Sequence, residues 1–313
     1  MDFSFTREQR DVLDRAEEMC SALRAKEEQA WHSGEINVDV QRAVRKARLH
    51  NFTLSSKYGG EGESFALYGA ILERIGKEGL SPHNFLLAHD SAALALQNHG
   101  TEVQCFEHAK GVFASSIGEH NIRYEKSYGG FLLNGFGTMG NAIASDTLKV
   151  FADGENGRTA FIMKKDENCN AERMSNHGMR SADFGKIILK DCRVDKDAVI
   201  GEVGLGWKAE DSHKQFARLM SAAGYCGVGM DCASENKMKS APVEAASLLT
   251  QRAFWLCEKA KENKNLHQQA VENALLAKKF AYKAAVGAAV RASKKSERAQ
   301  RHLLDLVVGN YKI

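Results

Sequence analysis

Apolar positions recur every three to four residues through the first third of the chain. They alternate in short runs between Gly111 and Ile200 and return to helical spacing beyond Gly206. Thr6 stands just before the periodic set Val12, Leu13, Ala16, Met19, Cys20 and Leu23, with acidic residues in the opening turn, and so predicts a helix start. Further helices are expected over 64–79 and 83–99, the second opened by Ser81-Pro82, and Tyr58-Gly59-Gly60-Glu61-Gly62 is a flexible break before them. Gly111–Ser116, Gly129–Gly135, Asp146–Asp153, Gly157–Met163 and Gly185–Asp191 read as about five strands, being rich in β-branched and aromatic residues and separated by Gly, Asn and Asp. Helices are expected again over about 208–238, from Ser240-Ala241-Pro242 onward, over 266–292 and over 296–309. On the first of these, Phe216, Leu219, Met220, Ala223, Cys226 and Met230 share one face. The fold class is therefore α+β: an N-terminal helical domain (1–110), a small β barrel or sandwich (111–206) and a C-terminal helical bundle (207–313).

Charge and cysteine content narrow the function classes. A formal charge of only +3 is spread along the 313 residues, which argues against a nucleic-acid partner. The basic stretch Lys278–Arg301 alternates with alanines and reads as the solvated side of a helix. The seven cysteines form no CxxC pair and have no zinc-ligand spacing, so buried reduced thiols, no metal and a cytoplasmic location are expected. No signal peptide or membrane span is predicted. Gly201, Gly204 and Gly206 lead into a helix but lack the P-loop lysine and a Rossmann context.

Several segments, taken in order, resemble the acyl-CoA dehydrogenase family. The opening Met1–Cys20 is similar to its first helix and Tyr58-Gly59-Gly60-Glu61-Gly62 to its YGGxG turn. Asn98–Gln104 is similar to the segment leading into its β domain. Gly178–Asp183, Asp191–Val194 and Ile200–Trp207 resemble the end of that domain. The resemblance covers residues 1–235. It implies FAD as cofactor, an acyl thioester of CoA or acyl carrier protein as substrate, and an assembly of at least two chains. In the implied reaction a carboxylate takes the α-proton while flavin takes the β-hydride.

By the same resemblance Phe113, Ser115, Ser116 and Gly118 occupy the first flavin-edge strand, with Ser116 matching a hydroxyl-bearing Thr. Met139, Gly140 and Asn141 occupy the second, Met139 standing where the family has a ring-covering Trp or else in the β core. Phe216 and Arg218 fall on the substrate side. Other family features are replaced. Ile117 and Gly118 stand for the usual acid and proline, and Lys237-Met238-Lys239-Ser240 for the diphosphate-binding Arg motif. Ala217 stands at one position used for the catalytic base, and the loop that usually carries the other is missing, so no catalytic residue is assigned. Glu119, His120, Asp231 and Glu235 are the substitutes considered, while His99 and His177 read as loop hydrogen-bonders. Three functions follow: an FAD-dependent acyl-thioester dehydrogenase, a non-catalytic or half-site subunit completed by a full-length partner in a heteromer, or a flavin oxygenase on the same scaffold.

Overall fold

The structure is a computed structural model that describes residues 4–108, 110–233 and 237–311, with the side chains of 116–120, 237–239, 310 and 311 outside the description. Five helices come first: α1 (Arg7–Ser33), α2 (Asp39–Lys46), α3 (Phe65–Glu78), α4 (Leu80–His99) and α5 (Glu102–His108). Thr6 caps α1 through a reciprocal pair of bonds with Gln9, as its spacing predicts. Gly79, at φ 145°, separates α3 from α4, and Pro82 sits inside the first turn of α4, where its missing N–H has no intrahelical partner to lose. Residues Leu80–Leu96 of α4 are all buried, so this helix runs through the middle of the molecule rather than over its surface.

Seven strands form one sheet in the order β5-β6-β2-β1-β3-β4-β7. They are β1 (Phe113–Ser127), β2 (Gly130–Gly140), β3 (Thr147–Gly154), β4 (Gly157–Lys164), β5 (Cys169–Arg173), β6 (Phe184–Asp195) and β7 (Val199–Ile200). The sheet curls around its own core. Tyr124 of β1, Phe131 of β2 and Phe161 of β4 meet with ring centroids 5.4–5.6 Å apart, although β1 and β3 lie between β2 and β4 in the strand order. The other face, with Phe113, Phe151 and Ile162, packs on Ala92, Ala93 and Leu96 of α4. β1 runs eleven residues past the expected strand end at Ser116, with a register break between Ser116 and His120. β5 and the two-residue β7 were not among the expected strands. Cys-Asn-Ala-Glu-Arg is a short polar edge strand whose only core-facing residues are Cys169 and Ala171, too brief an alternation to stand out in the sequence.

The last four helices are α6 (Trp207–Ala233), α7 (Lys237–Glu262), α8 (His267–Ser293) and α9 (Glu297–Tyr311). α7 begins before the expected Ser240, which leaves Pro242 just beyond its first turn. One hydrophobic core joins residues of α1–α4 with residues of α6–α9, so the two helical regions share an interior across the β segment. Among the described residues no helix is long and apolar enough to cross a membrane.

Candidate functional site

Two places on α4 and α6 gather the residues singled out above. The first is the seam where α4 crosses β1 and β2. Asn141 follows β2 in a left-handed conformation, φ 58°, which an Asn tolerates better than most residues. Its Nδ2 donates to the carbonyls of Phe85 (3.0 Å) and Phe113 (3.2 Å), pinning α4 and β1 to the end of β2. Phe113 is buried against His89, whose Nδ1 accepts the Phe113 N–H at 3.2 Å. Met139 points into the β core with no exposed surface, which places it away from the α4 face that carries Ser115. The Ser116 backbone pairs with Met139, while the side chains around it, with those of Glu119 and His120, lie outside the described residues.

Among the described residues, burial along this seam leaves polar atoms without hydrogen-bond partners: Ser115 Oγ, Asn141 Oδ1 and Lys149 Nζ. Ser115 pairs in register with Gly140 on one side and Lys149 on the other, so the three positions are neighbours in the sheet. Lys149 is fully buried, and burial lowers its amine well below the usual lysine range. Unpartnered buried groups are rare in folded proteins and cost roughly 1–3 kcal/mol each. Three of them lie on neighbouring strands of this one seam.

Beside the seam lies a neutral buried network. The Asp90 carboxyl accepts from the Asn51 N–H (2.8 Å) and the Tyr68 hydroxyl, and burial pushes it up to about 7. His89 Nε2 bonds Asn51 Oδ1 at 2.9 Å, and burial pushes the imidazole down to about 3. With Nδ1 accepting from Phe113, the neutral tautomer carries its proton on Nε2. Periodicity had no means of finding this network, because its members come from the loop after α2, from α3, α4 and β1, and meet only through tertiary packing.

The second place is a groove of about 810 Å³ between α3, α4, α6, α7 and α8. Phe65, Leu94 and Phe216 supply apolar lining, with the Phe65 and Phe216 rings 5.1 Å apart. Lys208, Arg218 and Lys261 supply cations, and Asp211 is the one carboxylate in the described lining. Lys261 Nζ lies 3.7 Å from the Phe65 ring centroid and its amine is lowered by burial. The groove thus combines an apolar wall with a cationic lining. Phe216 and Arg218, expected on the substrate side, both border it, as does His99.

The sequence model of the acyl-CoA dehydrogenase N-terminal domain matches residues 6–112. Isovaleryl-CoA dehydrogenase of Oryza sativa subsp. japonica is 28% identical over 220 residues, which span 63% of this chain and 54% of that protein. Butyryl-CoA dehydrogenase of Megasphaera elsdenii superposes with a TM-score of 0.88 at 21% identity, over 99% of this chain and 95% of that one. A prolyl acyl-carrier-protein oxidase superposes with a TM-score of 0.84 at 17% identity, covering 98% and 95%. At such identities these two likenesses are of fold.

Residues 6–112 carry an acyl-CoA dehydrogenase N-terminal domain, and the chain as a whole has the acyl-CoA dehydrogenase fold. It spans about half the length of the curated relatives it matches. Ala217 is buried on α6 beside Phe216 and offers no acceptor. Asp231 is engaged by Arg298 (2.8 Å) and His302 (3.1 Å) between α6 and α9. Glu235 lies outside the described residues and His177 is exposed. Lys237–Ser240 forms the first turn of α7.

Proposed function

We propose that this chain binds an acyl group carried as a thioester on a phosphopantetheine-bearing carrier, CoA or acyl carrier protein, and that it is a flavin-dependent oxidoreductase scaffold. The groove carries the reading. Its apolar wall suits an acyl chain, and Lys208, Arg218 and Lys261 suit a pantetheine arm ending in phosphate. An FAD ring edge would agree with the unpartnered atoms of the α4 seam: Asn141 Oδ1 could accept from an imide N–H, and Ser115 and Lys149 could donate to carbonyl oxygens. When bound, FAD supplies a two-electron hydride acceptor. The residues of this chain hold the ring edge, keep water from the seam through the burial of Phe113 and Asn141, and orient the carrier from α6.

A second reading, a half-site subunit completed by a full-length partner, is favoured by Ala217 and by a groove lining whose single described carboxylate is Asp211. In that assembly the base comes from the partner chain. The flavin-to-chain ratio of the protein purified alone, followed by anaerobic addition of an acyl-CoA, separates the two. Bound flavin that bleaches supports the first reading. Flavin acquired only on coexpression with a full-length relative supports the second. Flavin-dependent NADH oxidation by oxygen supports neither and favours the oxygenase. Arg218→Glu is expected to weaken acyl-CoA binding about tenfold or more by calorimetry, since it reverses a charge in the groove lining. Unchanged affinity removes the groove from the proposal.

A further inference from the structure

Two cysteines far apart in sequence meet at the free end of the sheet. Cys169 opens β5, and Cys192 lies on β6 just past the register break beyond Leu189, beside Asp191 at φ 51°. Their sulfurs are 3.6 Å apart. Asp166, in the turn before β5, places Oδ1 3.3 Å from Cys169 Sγ and is itself oriented by the Asn168 N–H at 2.9 Å. All three ligand atoms lie within 4.8 Å of one another.

The two sulfurs, 3.6 Å apart, and the carboxylate oxygen, 3.3 Å from Cys169, stand near the separations of a coordination sphere. Sulfur at about 2.3 Å and oxygen at about 2.0–2.2 Å from a tetrahedral centre stand roughly 3.5–3.8 Å from each other. Disulfide chemistry would account for the two sulfurs but not for a carboxylate held against them. Both thiols are buried, whereas Asp166 is exposed, so the cluster opens to solvent on its oxygen side.

We propose that Cys169, Cys192 and Asp166 form a binding site for a thiophilic divalent cation of the zinc class, with water in the fourth position. Binding forms two metal–sulfur bonds and one metal–oxygen bond and displaces both thiol protons to solvent; no electron is transferred. The ion ties the β4–β5 turn to β6, clear of the interhelical groove.

The test uses the full chain, reduced and stripped of metal, titrated with cadmium as an optical probe and competed with zinc. One ion per chain is expected, with a thiolate-to-metal charge-transfer band in the near ultraviolet and release of about two protons per ion near neutral pH. Cys192→Ser should lose the band, Asp166→Asn should weaken binding by roughly tenfold or more, and Cys226→Ser, in the core of α6, should retain both. The cadmium NMR shift of the wild-type complex is independent of the variants' folding and should report two sulfur ligands. No stoichiometric band, an equal band in Cys192→Ser, a shift reporting one sulfur or none, or a Cys169–Cys192 disulfide forming in place of the complex each overturns the proposal.

Discussion

Burial changes what Asp90 and Lys149 are. Asp90, pushed up from 3.8 to about 7, keeps in the folded chain a proton that the unfolded chain has released. Its contribution therefore makes stability fall as pH rises across that window. His83 and His89, pushed down by burial to about 4 and about 3, act with the opposite sign, their contribution growing with pH up to 6.5. Asp90→Asn removes the first contribution and leaves the second. Tm should then climb more steeply with pH between about 4 and 7 than in the parent chain; an unchanged slope in thermal denaturation would contradict a neutral buried Asp90. Lys149 carries a depressed amine, so the unfolded chain binds a proton the folded chain excludes, and stability rises with pH toward 10.5. Lys149→Met should raise Tm at neutral pH, with a gain that shrinks as pH approaches 10.5, and should lower the flavin retained on purification. Asp90 and Lys149 gave little sign of this in the sequence. A lysine at the centre of Thr-Leu-Lys-Val-Phe shows only which face of β3 it takes, not that helices cover that face.

At the scale of elements, the crossing of α3 and α6 depends on missing side chains. A Cβ on Gly227 would lie 2.0 Å from the Glu73 carbonyl oxygen, and one on Gly76 would lie 2.4 Å from that of Gly224. These contacts meet backbone and cannot be relieved by a rotamer change. Gly227→Ala should cost about 1–3 kcal/mol or more and force α3 away from α6, loosening the groove both helices line. Gly287 of α8 differs, since its Cβ would meet only the end of the Arg291 side chain at 3.3 Å. Gly287→Ala should stabilise by about 0.5–1 kcal/mol. Chemical denaturation of the pair checks both signs. The helices themselves were legible from apolar spacing and from Thr6 and Gly79, because those signals are local. β5 was not: it owes its existence to pairing with β6, and the alternation of Cys169 and Ala171 is too short to announce a strand.

For the molecule as a whole, the shared core makes the two helical regions one cooperative body. Leu13, Val44, Leu72 and Leu86 lie in the same buried cluster as Phe216, Val228, Phe254 and Ala285. Asp305 of α9 accepts from Trp31 Nε1 of α1 at 2.9 Å and from the Met179 N–H at 2.5 Å, tying three distant segments together. Residues 207–313 expressed alone are thus expected to lack a cooperative transition by circular dichroism and to exchange their α6 amides rapidly; a sharp transition would mean the bundle is self-sufficient. The order of helices, strands and helices was set by local periodicity and turn chemistry, which need only neighbours along the chain, and the family resemblance by motifs read along it. The interhelical groove, the unpartnered atoms beneath α4 and the meeting of Cys169 with Cys192 were decided by tertiary structure alone. Each joins residues whose proximity depends on how faces pack, and a face's partner is not written in its own period.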